Sequence, residues 1–139
     1  MTAITFPLST TVTVRFRDTD AMGHVNNAVY SSYLEEARII YWQELTGLKD
    51  FAKVDLILAH VDINYRSPAF VGETLVVHIS LTRIGGSSFD FSYRVVEKSS
   101  NRIVVEATST QCLYDYEKSR IKRIPAELKE KIAALQARD

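Results

Sequence analysis

The chain has 139 residues, enough for one domain that buries roughly 68% of the surface its unfolded chain exposes. Seventeen Lys and Arg balance seventeen Asp and Glu without any run of like charge, which argues against a surface built for nucleic acid or anionic membrane. A lone cysteine, Cys112, cannot close an internal disulfide and predicts a reducing, cytoplasmic setting, and no stretch approaches the ~20 apolar residues of a membrane span.

At the start of the chain, MTAITFPLSTTV carries neither a charged leader nor a long apolar block, so no signal peptide is expected. Alternation begins in TVTVRFRD. Val12, Val14 and Phe16 fall on one side and Thr11, Thr13, Arg15 and Arg17 on the other, the period of a half-buried strand that runs to the aspartates. From Ala28 the period changes. Val29, Tyr30, Tyr33, Leu34, Ala37, Ile40 and Tyr41 recur at three- and four-residue steps, predicting a helix of about five turns. Asn26 or Asn27 is its expected N-cap, and Gly47 stands where a helix end places glycine.

The remainder reads mostly as strand. LILAHVDINYRSP carries Val61, Ile63 and Tyr65 in alternation and stops at Pro68, which has no N–H to give a ladder. TLVVHISLT puts Leu75, Val77, Ile79 and Leu81 on one face, and FDFSYRVV does the same with Phe89, Phe91, Tyr93 and Val95. Gly85, Gly86, Ser87 and Ser88 mark the turn between them, Ser99, Ser100 and Asn101 mark the next, and IVVEATSTQCLY forms a long last strand. Pro125 is expected as the first residue of a C-terminal helix with Leu128, Ile132 and Leu135 as its apolar stripe. The pattern is α+β, a single domain over residues 1–139 with a five-stranded, mostly antiparallel sheet and one long helix across a face. One helix cannot cover five strands on both sides, so a symmetric dimer, or a tetramer made by pairing dimers, is expected.

RDTDAMGHVNN, just ahead of the long helix, is unusually polar. Asp, Gly and Asn are ordinary turn formers, and a structural role accounts for them as they stand. The chemical reading starts from the helix N-terminus, whose free N–H groups and partial positive charge suit a developing oxyanion. A carboxylate just before it would serve acyl transfer or hydrolysis, with Asp18 or Asp20 as general base or nucleophile; spacing does not choose between them. His24, His60 and His78 show no four-residue pairing and no cysteine neighbour, so no metal site is expected. Neither a G-x-S-x-G elbow nor a phosphate-binding glycine loop is present.

Residues 15–38, with their D-x-D-x-x-G-H-V-N-N-x-x-Y core, resemble the signature of the hotdog-fold acyl thioesterases, in particular the 4-hydroxybenzoyl-CoA thioesterase-like family. INYRSPAFVGETLVV, RIGGSSFDFSYRV and RIPAELKEKI extend the resemblance over nearly the whole chain. It implies a curved five-stranded antiparallel sheet wrapped around one long helix, with a short C-terminal helix, paired as a homodimer or homotetramer. It implies hydrolysis of acyl-CoA or acyl carrier protein thioesters, with no metal and no cofactor beyond the coenzyme A of the substrate. By the same resemblance Asp20 matches the catalytic aspartate, and Asn27 the position whose backbone N–H polarises the thioester carbonyl. His24 and Asn26 match an H-V-N segment also seen in plant acyl-carrier-protein thioesterases, although those enzymes carry an asparagine where this chain has Met22. Tyr30, Arg66, Ser87 and Ser88 are candidate substrate-binding residues. Gly85, Gly86 and Ser87 stand where some members have a basic cluster, leaving Arg66, Arg83, Arg94 or Lys98 to meet coenzyme A. The alternatives are a noncatalytic hotdog protein that binds an acyl thioester as a sensor, and a hotdog dehydratase. A carboxylate held beside the thioester argues against the sensor, and the signature argues against the dehydratase.

Overall fold

Strict alternation builds the sheet. Leu75, Val77, Ile79 and Leu81 of β3 (Thr74–Ile84), Phe89, Phe91, Tyr93 and Val95 of β4 (Ser88–Glu97), and Val105, Ala107 and Leu113 of β5 (Ile103–Asp115) are all buried. In the computed structural model, which describes residues 4–50 and 53–138, these strands join β1 (Leu8–Thr13) and β2 (Leu56–Tyr65) in one antiparallel sheet. Residues 1–3 and 139, the ends of the expected domain, lie outside the described residues. The strand order is β1-β3-β4-β5-β2, and a short β6 (Arg120–Ile121) pairs with the end of β5. β6 is two exposed residues long, too short to leave an alternating pattern in the sequence.

The helix α1 (Tyr30–Thr46) lies on the inner face of this sheet. It buries Tyr33, Leu34, Ala37, Tyr41, Trp42 and Leu45. The Trp42 ring meets Phe89 edge to face at 5.4 Å, and Tyr41 meets Phe91 at the same distance. Such aromatic pairs add about 0.5–1.5 kcal/mol each beyond the area they bury. Ile40, counted in the apolar stripe, is partly exposed at its margin. Gly47 ends the helix as expected, at a φ of 74° that suits glycine, its N–H bonded to the Gln43 carbonyl.

Phe16 departs from the expected strand. It is 83% exposed, because β1 stops at Thr13 and Phe16–Asp18 form a 3-10 turn. The Asp18 carboxylate accepts the Arg15 N–H at 3.0 Å, closing that turn and breaking the two-residue period. At the other end, Pro125 precedes α2 (Ala126–Gln136) as its N-cap, one position earlier than expected. Ile132 and Leu135 are buried and Leu128 packs against the core beside them. Gln136 then fixes α2: its Oε1 accepts from the Tyr41 hydroxyl and the Leu81 N–H, and its Nε2 donates to Ser80 Oγ.

β1 and β2 are the two edges of this order, and β2 is the longer. Its pairing with β5 places Leu56, Leu58, Val61, Ile63 and Tyr65 opposite the inward residues of β5, with a register shift at Ala59 that lets both halves face inward. Leu58, Val61 and Tyr65 are nevertheless exposed, although the Tyr30 ring at the start of α1 lies 5.6 Å from that of Tyr65. Among the described residues no helix is long and apolar enough to cross a membrane.

Candidate active site

The two aspartates of the polar turn have different surroundings. Asp18 is 4% exposed, and its carboxylate accepts the Tyr33 hydroxyl at 2.9 Å as well as the Arg15 N–H and guanidinium. Burial pushes its pKa up, but the Arg15 backbone N–H, the Tyr33 hydroxyl and the Arg15 side chain together outweigh it and hold the carboxyl below its ordinary value. Asp18 also receives the Asn26 N–H on its carbonyl at 2.8 Å. Through its side chain and its carbonyl Asp18 therefore ties the turn after β1, α1 and the helix entry together.

Asp20 sits at the rim of the same loop with its side chain about one-third exposed. Thr19 bridges Val25, the Asp20 N–H donates to the His24 carbonyl at 2.8 Å, and Gly23 returns its N–H to the Asp20 carbonyl from a φ of 82°. Asp20 Oδ1 accepts the Met22 N–H at 2.9 Å. Oδ2 lies 3.9 Å from His24 Nδ1, too far for a hydrogen bond. One carboxylate oxygen is thus held by the loop, and the other has no hydrogen-bond partner among the described residues. His24 stacks edge to face on Phe70 and bridges it, while the Val25 N–H donates to the Ala69 carbonyl, so the loop is pinned to the segment after β2.

The entry to α1 is a 3-10 turn, Asn27–Val29, capped by Asn26. The Asn26 side chain accepts the Ala28 N–H at 3.0 Å and its carbonyl accepts the Val29 N–H at 2.9 Å. A cap of this kind contributes about 1 kcal/mol. Those bonds leave the Asn27 N–H without a protein acceptor among the described residues. The Asn27 carbonyl accepts the Tyr65 hydroxyl at 3.2 Å, joining the helix entry to the end of β2.

A cavity of about 270 Å³ opens here, lined by His24, Asn27, Tyr30, Tyr65 and Arg66. Burial pushes the Tyr30 hydroxyl up to about 12, so it remains protonated. Arg66 reaches Glu106 at 3.3 Å across the strands. The structure thus brings His24, Asn27, Tyr30 and Arg66 together, with Asp20 beside His24. Ser87 and Ser88 lie elsewhere, at the β3–β4 turn, where Ser88 Oγ accepts from Arg83 and Arg83 pairs with Asp90 at 2.6 Å. Of the basic residues considered for coenzyme A, Arg66 lines this cavity, whereas Arg94 lies over the Phe6 ring. Tyr65 was legible only as a strand residue; its hydroxyl contact with Asn27 depends on how β2 ends against the helix entry. Among the described residues no three His, Cys, Asp or Glu side chains are grouped so as to hold a metal ion.

Residues 14–132 match the model of the thioesterase-like superfamily. The chain belongs to that superfamily. Within it, the chain is 28% identical over 130 residues to the long-chain acyl-CoA thioesterase FadM of Escherichia coli (strain K12), covering 90% of this chain and 96% of that one. It is 29% identical over 105 residues to a 1,4-dihydroxy-2-naphthoyl-CoA hydrolase of Crocosphaera subtropica, covering 70% and 74% of the two chains. A thioesterase from Thermus thermophilus, crystallised with coenzyme A and zinc, superposes with a TM-score of 0.86 at 30% identity over 96% of this chain and 97% of that one. The curved sheet around a long helix, with its short C-terminal helix, is the hotdog fold of these thioesterases, as the resemblance implied.

Proposed function

We propose that this member of the thioesterase-like superfamily hydrolyses acyl-CoA, or another pantetheine thioester such as an acyl carrier protein conjugate, to the free acid and thiol. The observation that carries the reading is an Asp20 oxygen with no hydrogen-bond partner among the described residues, next to His24 in the loop leading to a helix entry whose Asn27 N–H likewise has no protein acceptor among them. A thioester carbonyl accepting the Asn27 N–H gains stabilisation as its oxygen becomes negative. Asp20 then either takes a proton from the attacking water as the thiolate leaves, or attacks the carbonyl carbon itself, expelling the thiolate and forming an anhydride that water hydrolyses to the free acid and regenerated carboxylate. His24 borders the acid, and Arg66 offers a cation for a phosphate of coenzyme A. No cofactor beyond that coenzyme A enters the scheme. The unpaired Cys112 supports a cytoplasmic setting.

The names of the relatives, one acting on a long-chain acyl-CoA and another on an aromatic one, support the thioester class and leave the acyl group open. Release of free thiol from a panel of aliphatic and aromatic acyl-CoAs, followed colorimetrically, tests the proposal. Steady turnover is expected. Stoichiometric binding without thiol release would instead mark an acyl-thioester sensor.

The working unit we propose is a homodimer formed across β2. That strand is ten residues long and forms an edge of the sheet, with Leu58, Val61 and Tyr65 exposed on its inner side. An unpaired edge of this length is a template for a second chain. Light scattering on the eluting protein should give at least twice the 15.8 kDa of one chain, and would also reveal a pairing of dimers. A stable, active monomer would refute it.

A further inference from the structure

Four polar side chains form a chain that ends in an amide with nothing to hold. Arg38 Nη1 lies 3.2 Å from the Tyr93 hydroxyl, that hydroxyl lies 2.5 Å from Ser109 Oγ, and Ser109 Oγ lies 2.9 Å from Gln111 Oε1. The guanidinium can only donate, so Tyr93 accepts from it, and among the described residues Ser109 Oγ is the acceptor to which the Tyr93 hydroxyl donates. Ser109 in turn donates to Gln111, which must therefore receive through Oε1. The direction of the chain fixes the amide: its NH₂ faces away with two protons. Gln111 is 1% exposed, and its Nε2 is buried without a hydrogen-bond partner among the described residues. Buried polar groups are rarely left unpaired.

The amide lies on a second cavity, of about 440 Å³, between α1 and the start of β2. Glu35 and Arg38 of α1 line it with Gln111, and Ile39, Leu56 and Leu58 supply apolar wall. Its volume falls within the roughly 300–1,000 Å³ of small-molecule sites. It is distinct from the cavity at Asn27 and Tyr30: Arg38 is eight residues beyond Tyr30 on α1, about 12 Å at the helical rise. The inner face of β2 between the two cavities is exposed at Leu58, Val61 and Tyr65.

We propose that this second cavity is the acyl subsite, and that it selects acyl groups bearing an oxygen, a hydroxyl or oxo group, remote from the thioester. The inference rests on the thioesterase reading above and deepens it. The oxygen accepts the Gln111 NH₂ protons, and a hydroxyl can pass its proton to the Glu35 carboxylate on the same cavity. An unsubstituted alkyl chain fills the apolar wall but leaves the amide buried and unpaired, so the penalty falls on that substrate alone. Arg38, Tyr93 and Ser109 are positioning residues, which act by holding the amide in this orientation.

The test compares straight-chain acyl-CoAs of graded length with their ω-hydroxy counterparts, measuring thiol release and, separately, calorimetric binding of the same thioesters. At the length that reaches Gln111, the hydroxylated thioester should be favoured by on the order of 10-fold or more in kcat/KM and in affinity. Gln111→Leu should bring that ratio to within about twofold, and Ser109→Ala, which frees the amide to rotate, should lower it part of the way, with circular dichroism confirming that both variants fold. The ratio is a readout that a purely structural role would not move. A ratio near one at every length in the wild-type protein, or a ratio that survives Gln111→Leu, overturns the subsite and leaves the amide to an ordered water. Thioesters that bind without releasing thiol would sink the hydrolase reading alone, because the binding ratio still decides the subsite.

Discussion

Asp20→Asn is expected to lower kcat by on the order of 10²- to 10⁴-fold while leaving fold and thioester binding in place. The amide keeps the shape of the carboxylate, and its Oδ1 can still accept the Met22 N–H that fixes the loop. What it loses is the negative charge on the oxygen that the loop leaves unbonded. An amide there neither takes a proton from water nor attacks a carbonyl. The measurement is kcat on the best thioester of the panel, with circular dichroism and calorimetric binding as controls. A folded Asp20→Asn protein with near wild-type kcat would remove Asp20 from the mechanism.

The companion substitution, Asp18→Ala, should act on stability. It orphans the Tyr33 hydroxyl and the Arg15 N–H at a buried position, for a loss of about 3 kcal/mol, and should alter kcat far less than Asp20→Asn does. The Arg15 guanidinium is more than half exposed, so its charge adds little to that figure. Because the folded state holds the Asp18 pKa below its ordinary 3.8, the charge-dependent part of the stabilisation is complete above that value and is lost as the pH falls through the folded pKa. The gap between wild type and Asp18→Ala should accordingly narrow in acid. Urea unfolding at fixed protein concentration, at neutral pH and across the acid range, reads both effects. A gap that widens in acid, or a variant as stable as wild type, would contradict the anchoring role.

This pair of acids shows where sequence reading stops. Their residue type is the same and their spacing is compatible with either role; burial separates them, and burial depends on Tyr33, fifteen residues away on α1. The strands β3 and β4 were legible because their inward residues are apolar at every second position. Gly47 was legible because the left-handed end of a helix favours glycine. Phe16 breaks its expected pattern for a local reason, since a carboxylate two residues ahead captures a backbone N–H and turns the chain out of the strand. Ser109 and Gln111 leave no signal in the sequence because they occupy inward positions where hydrophobic patterning treats polar residues as interruptions. Only the pairing of β5 with β4 brings Tyr93 near them and makes the chain of donors visible.

The extra residue at Ala59 bears on how relatives of this protein are compared. Leu56 and Leu58 before it and Val61, Ile63 and Tyr65 after it face the same side only because the pairing slips there by one. Removing that single residue would bring Leu56, Leu58, Val61, Ile63 and Tyr65 into plain two-residue alternation, so all five would share the inner face without any slip. The lining of the gap beside α1 is therefore set by residue count and pairing slip together. A relative that aligns with a one-residue gap at this point and pairs without the slip presents the same apolar wall, whereas one that keeps the residue and loses the slip turns half of that wall outward.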